Sequence, residues 1–363
     1  PSDSVKALAG DANLDGIVDI ADAVAVASYV GDSKLNALES QGLINADVQG
    51  DGNGVNANDA LMIQQYLAGI ISELSIPNSS GQTSEIDVSK METLFSGIKL
   101  ADSYKKDNEN NPLYTQRFGA DPGVMEYNGR VYVYMTNDVI EYDSNGNVTE
   151  NTYGQVNKIN CISSDDMINW TDHGVIEAAG ANGVAKWASL SWAPCAAHKT
   201  INGKEKFFLY FCNGGNGICV LTADSPTGPW SDPLGKALVT RQVSNCSDIP
   251  WLFDPAVMVD DDGTGYLCFG GGVPEGKQAM PSTSRIVKLG DDMISLAGTP
   301  STINAPYIFE DSGINKIGNK YYYTYCSNWN TSGNNYGLTS GAIEYMVSDN
   351  PLGPYTYGGE LFK

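Results

Sequence analysis

Carboxylates sit in this chain where chemistry could use them. The segment "WLFDPAVMVDDDGTGYLCFGG", beginning at Trp251, holds Asp254, Asp260, Asp261 and Asp262 within nine residues. Asp254 precedes a proline, as does Asp121 in "ADPG"; Glu310 stands in "FEDSG", and "WAP" stands at Trp192–Pro194. A proline biases the residue before it toward extended backbone, so Asp121 and Asp254 are expected to be extended. One acidic residue of this kind is ordinarily a cap or a turn. Several brought to one place could protonate a leaving oxygen and activate water, as two-carboxylate sugar hydrolysis requires. The remaining aspartates of the segment, 260–262, stand at Gly263 and are expected in a solvated hairpin turn.

A different carboxylate pattern opens the chain. From Asp11, oxygen-bearing side chains fall at loop positions 1, 3, 5, 9 and 12: Asp11, Asn13, Asp15, Asp19 and Asp22. Gly16 stands at position 6 and Ile17 offers a carbonyl at position 7, the spacing of an EF-hand-like calcium loop with Asp in place of the usual Glu at position 12. Asp47, Asp51, Asn53 and Asp59 repeat it with one extra residue, leaving open whether Gln49 or Asn53 is a ligand. After each loop comes a helical pattern; in the second, Ala60, Ile63, Leu67 and Ile70 share a face.

The elements that must carry the other acids recur at about sixty to seventy residues. Four units begin at "ADPGVMEYNGRVYVYMTN", "WAPCAAHKTINGKEKFFLYFCN", "FDPAVMVDDDGTGYLCFGG" and "FEDSGINKIGNKYYYTYCS". Each pairs a short strand with an alternating aromatic strand across an Asn-Gly, Asp-Gly or Gly-Asn turn, and Gly and Asn supply the positive φ of tight hairpins. Four-stranded units at this period predict a mainly β chain built as a β-propeller, with a β-sandwich as the structural alternative. Four blades are recognisable, and a fifth is expected to be missing after "GPYTYGGELFK". In a propeller the innermost strands face one axis, so Asp121, Asp254 and Glu310 would share a pocket, with Trp192 and Phe253 as candidate walls. Between the two parts, "SELSIPNSSGQTSEIDVSK" reads as a flexible tether. The expected divisions are 1–71, 72–95 and 96–363.

Composition limits the partners. A formal charge of −22 opposes binding to nucleic acid or an anionic membrane and suits a neutral substrate or divalent cations. No apolar run reaches membrane-spanning length. Pro1 in place of Met is read as a processed or trimmed start, which leaves room for a removed signal segment. The seven cysteines are expected as mainly buried thiols, and His173 and His198 are too few for a zinc site.

Two calcium loops with their helices, Gly10 to Ile71, resemble a type I dockerin of ruminococcal type. The resemblance implies an all-α module holding two Ca2+ and docking to a cohesin of a scaffoldin, with Ile20, Ala21, Ala57 and Asn58 reading the partner. From Asp121 onward the chain resembles glycoside hydrolase family 43, and its motifs are most similar to arabinoxylan arabinofuranohydrolases. That resemblance implies a five-bladed propeller and inverting removal of α-L-arabinofuranosyl branches from xylan without an organic cofactor. It also implies Asp121 as general base, Glu310 as general acid and Asp254 as the group that orients the acid and raises its pKa. An inverting pair stands about 6.5–9.5 Å apart. A secreted, cellulosomal hydrolase is therefore expected. β-Xylosidase or endo-arabinanase action within the family, or a non-catalytic sugar-binding propeller, are the alternatives.

Overall fold

The computed structural model describes residues 8–49, 54–76 and 113–363. It divides into two compact units, residues 1–100 and 101–363.

The first unit holds helices α1 (Ile20–Gly31), α2 (Ser40–Ala46) and α3 (Ala57–Leu67). Ala12, Ala23, Val26, Ala46, Val48, Ala60 and Ile63 form its core. Of the predicted face of α3, Ala60 and Ile63 are buried, but Leu67 and Ile70 are exposed. Helix α3 ends at Leu67 and Gly69 takes a φ of 70°, so the periodic face runs past the helix that would have buried it. Leu74 packs against this core, so the packed residues reach beyond residue 71. The rest of the expected tether, from residue 77, lies outside the described residues.

The second unit is a mainly β chain of four antiparallel sheets among the described residues. The first sheet is β1 (Ala120–Tyr127), β2 (Arg130–Thr136), β3 (Ile159–Ser164) and β4 (Thr171–Ile176). The second is β5 (Trp192–Ile201), β6 (Lys204–Cys212) and β7 (Ile218–Ala223). The third is β8 (Ala256–Val259), β9 (Gly265–Phe269), β10 (Ser284–Lys288) and β11 (Ser301–Ile303), and the fourth is β12 (Ile308–Ile317), β13 (Lys320–Ser327), β14 (Ile343–Ser348) and β15 (Thr356–Phe362). In the second sheet the outermost pairing shrinks to two isolated bridges, Ile218 to Val239 and Thr222 to Ser231. The Asn-Gly turns form as predicted: Asn128 and Gly129 take φ of 53° and 76°, Asn202 and Gly203 take 51° and 75°, the values a two-residue hairpin needs.

The first strands of successive sheets pack together, β1 on β5, β5 on β8 and β8 on β12, which makes them the inner strands of four blades. The approach is close. A Cβ on Gly123 would stand 2.2 Å from the Pro194 carbonyl oxygen, so the residue after Asp121-Pro122 has to be glycine. Apolar side chains fill the spaces between blades in three cores, one per junction. Leu209 and Phe211 face the first blade, Tyr210 and Phe208 face the third, and Ile286 packs with Tyr323 and Tyr325 between the third and fourth. Alternation on one strand thus supplies two cores, because the second and third sheets are covered on both faces.

The three aspartates at Gly263 lie in the β8–β9 turn, as expected, but they are not uniformly solvated. Asp260 is tied to the fourth blade: Lys316 Nζ donates to it at 2.5 Å and Tyr321 Oη at 2.6 Å. Burial would raise its pKa, yet these two donors hold it below the usual carboxylate value. All seven cysteines are free thiols, six of them buried.

Candidate active site

Each inner strand enters its sheet through the same irregularity. Pairing skips two residues between Ala120 and Gly123 in β1, between Trp192 and Cys195 in β5, and between Glu310 and Gly313 in β12. The first residue of each skipped pair has positive φ: Asp121 50°, Ala193 42° and Asp311 61°; Asp254, just ahead of β8, has 49°. The expectation of extended backbone at Asp121 and Asp254 is therefore wrong. A bulge re-aims a side chain at a strand end, and here it outweighs the bias from the following proline. For non-glycine residues such backbone costs about 1–3 kcal/mol each.

The bulges also correct the alignment of the repeats. Asp121, Ala193, Asp254 and Asp311 are equivalent, and Glu310 stands one residue earlier, in the place of Ala120, Trp192 and Phe253. Sequence alone put Glu310 in the shared position because "FEDSG" offers two adjacent acids and no proline to fix the register.

Side chains tie the bulges of neighbouring blades together. Thr136, at the end of β2, donates to Asp121 Oδ2 at 2.8 Å and accepts from the Ala193 N–H at 2.8 Å. The Asp254 N–H hydrogen-bonds Cys212. Asp254 Oδ2 in turn accepts from the Asp311 N–H at 2.9 Å.

The acids brought together share one another's field. Glu310, half-buried, is pushed up to about 7, first by burial and then by the charges of Asp311 and Asp121. Asp254, only 8% exposed, is raised well above the usual range by burial; the Asp311 N–H opposes this, and the charges of Asp311, Asp121 and Glu310 add to it. Asp311 is raised by poor solvation and then by Asp121, although its residue is exposed. A carboxylate can be reachable by water and still be walled by protein on most sides. Asp138, following β2, is raised by burial and by Asp121. No Lys, Arg or His contributes to these four shifts. A carboxyl poised near 7 can deliver a proton to a leaving oxygen at neutral pH.

Aromatic rings flank the acids. Trp192 is half-buried and donates from Nε1 to the Tyr153 carbonyl at 3.2 Å. Phe253 is 8% exposed and belongs to the core between blades two and three. The exposed ring beside it is Trp251, 45% exposed, its centroid 5.7 Å from that of Phe253. Trp251 lies against Gly215 and Gly272, where a Cβ would stand 2.3 and 2.4 Å from its ring. Trp329, 66% exposed, lies likewise against Gly341. Sequence reasoning missed Thr136, Asp138, Asp311, Trp251 and Trp329. The only signal for the tryptophans was glycine scattered through three separate loops.

Neither histidine joins the acids: His173 hydrogen-bonds Ser163 at 2.6 Å and His198 pairs with Glu205 at 2.6 Å. A cavity of about 660 Å³ lined by His198, Glu205, Asp260 and their neighbours contains none of the axial acids.

With this geometry in place, comparison with known proteins is decisive. Residues 109–356 match the model of Glycosyl hydrolases family 43. The chain belongs to that family. Residues 9–68 match the Dockerin type I domain. An arabinoxylan arabinofuranohydrolase of Paenibacillus polymyxa is 55% identical over 270 residues, covering 71% of this chain and 42% of that protein. Among solved structures, a family 43 arabinoxylan arabinofuranohydrolase from Bacillus subtilis, in complex with cellotetraose, aligns with a TM-score of 0.67 at 54% identity, over 69% of this chain and 54% of that one. An α-L-arabinofuranosidase from Clostridium thermocellum aligns with a TM-score of 0.53 at 41% identity, over 69% and 74%. The chain spans about half the length of the curated relatives it matches.

The dockerin loops are built as near duplicates. Asp22 accepts from the N–H groups of Asp19 and Asn13 (2.9 and 3.1 Å), and Asp59 accepts from those of Asn56 and Gln49 (both 2.8 Å). Gln49 therefore stands in the register of Asn13, at loop position 3. Asp22 and Asp59 are fully buried capping-box residues of α1 and α3. Asp11 turns Oδ1 into the first loop, buried and without a hydrogen-bond partner, while Oδ2 accepts from the Gly16 N–H at 3.1 Å. A buried lone carboxylate oxygen in an oxygen-rich loop fits a hard cation. Asp51 and Asn53 lie outside the described residues. Ile20, Ala21, Ala57 and Asn58 are all exposed at the starts of α1 and α3.

Proposed function

We propose that the chain is an inverting glycoside hydrolase that releases α-L-arabinofuranosyl side chains from arabinoxylan. The observation that carries this reading is Glu310, held near pH 7 beside Asp121, Asp254 and Asp311 at the mouth of the inner strands. Glu310 donates its proton to the glycosidic oxygen as the bond to the anomeric carbon breaks. Asp121 takes a proton from the water that attacks the opposite face, so arabinose leaves with inverted configuration. Asp254 fixes the bulge that carries the acid, and Trp192 and Trp251 offer apolar faces to the sugars. Relatives bearing the names arabinoxylan arabinofuranohydrolase and α-L-arabinofuranosidase support this substrate over xylosidase or endo-arabinanase action. The three inter-blade cores join four blades; a fifth blade between the first and fourth is part of the proposal, on the family resemblance.

The dockerin carries the enzyme to a cohesin of a scaffoldin outside the cell. Residues 1–76 form the module, followed by a tether and the hydrolase. Two Ca2+ ions complete its loops, one held by Asp11, Asn13, Asp15, Ile17 and Asp22, the other by Asp47, Asp51, Asp59 and Gln49 or Asn53. Carboxylate ligands gathered this closely require a cation to order them.

The test is arabinose release from arabinoxylan by the wild type, Glu310→Gln and Asp254→Asn. Loss of a general acid costs about 10²–10⁴-fold in rate. Unchanged release by Glu310→Gln would remove the assignment, and NMR showing retained configuration in the fresh product would remove the water-base role of Asp121.

A further inference from the structure

The common bulge places Asp311 where the other blades carry Asp121, Ala193 and Asp254. Its N–H is engaged by Asp254, and a carboxylate oxygen of Asp311 stands within 4.8 Å of one of Glu310, with Cys326 Sγ inside the same distance. Two consecutive acids on a regular strand would point to opposite faces. The left-handed turn at Asp311 brings both to one side.

We propose that Asp311 is a positioning residue for the hydrolysis: its carboxylate, set beside that of Glu310 by the left-handed turn, acts with Asp254 to favour the proton that Glu310 must deliver. The inference rests on Glu310 being the general acid. The groups facing Glu310 are Asp311 on its own strand, Cys326 on β13, Asp121 on β1 and Asp254 before β8; Glu344 on β14 acts on Cys326. Among the charges that raise Glu310, Asp311 is first. Asp254 bears on the bulge through the Asp311 N–H. The thiol of Cys326 is pushed up to about 12 by burial, then by Asp311, Glu310, Asp254 and Glu344, so it stays neutral.

The experiment is the pH dependence of kcat/KM on arabinoxylan oligosaccharides, whose sugar leaving group needs the proton. Removing a negative charge lowers the pKa of the acid, so the alkaline limb moves to lower pH. In Asp311→Asn that limb is expected to shift down by about one to two units, the size of a charge at this distance in a partly solvated site. Asp311→Gly, suited to the left-handed backbone, removes the same charge and must shift the limb the same way. Asp311→Glu retains the charge and must leave it near the wild-type position. A limb that stays put in the Asn and Gly variants, or that moves as far in the Glu variant, overturns the proposal. Inactive Glu310→Gln beside an unmoved Asp311→Asn limb defeats this inference alone, whereas active Glu310→Gln defeats the reading of the acid itself.

Discussion

The N-terminal module and the propeller both gather aspartates, and they do so by opposite means. In the module the acids are close in sequence, and backbone N–H groups of their own loop point at them, as in Asp11 with Gly16 or Asp22 with Asn13 and Asp19. Such a loop suits ionised ligands and a cation. In the propeller the acids come from distant strand ends. Burial raises the proton affinity of Asp254, Glu310 and Asp311, and the charges of neighbouring carboxylates add to the effect. Crowded carboxylates thus have two outcomes: a metal neutralises them, or one of them keeps its proton. Which occurs depends on whether local donors and an open loop, or blade packing, surround them.

The largest effect that would sharpen this contrast is chelation. All six tryptophans lie between residues 170 and 329, so their fluorescence reports the propeller alone. Calcium chelation is expected to abolish cohesin binding, measured by calorimetry, while the tryptophan-monitored urea transition stays in place. Cohesin binding indifferent to chelator would break the comparison from the module's side.

Next in size is Gly123→Ala, which tests how closely the inner strands approach. Its Cβ would meet the Pro194 backbone, so a loss of about 3 kcal/mol is expected in the same transition. An unchanged midpoint would mean that the inner strands are looser than this spacing requires.

The smallest effect runs in the stabilising direction. A carboxyl near 4.3 in the unfolded chain and about 7 in the folded one binds more protons when folded. Its contribution to stability is therefore whole below about pH 4 and is lost as pH rises to about 7. Glu310→Gln should remove that loss, making the propeller more stable than the wild type at pH 8 by about 2 kcal/mol, while the two converge near pH 4. Denaturant titrations at both pH values measure it. Equal stability at pH 8 would show that Glu310 ionises freely and that crowding does not set its proton affinity.

The sequence by itself determined whatever depends on neighbours along the chain. The first loop was legible because its ligand spacing, its Gly16 turn and the helix start at Asp19 all fall within twelve residues. The blade hairpins were legible for the same reason, since Asn-Gly fixes a turn locally. Asp121, Asp254 and Glu310 could be selected from the four repeat starts. Tertiary structure alone decided the rest. It placed Asp311 rather than Glu310 in the shared position, because bulge register depends on which partner strand each residue pairs with. It moved Phe253 into a core and brought Trp251 to the surface over Gly215 and Gly272. It turned Asp260 from a turn residue into a link to Lys316 and Tyr321. Each of these follows from a contact between blades, and no local pattern encodes which distant backbone will lie against a given side chain.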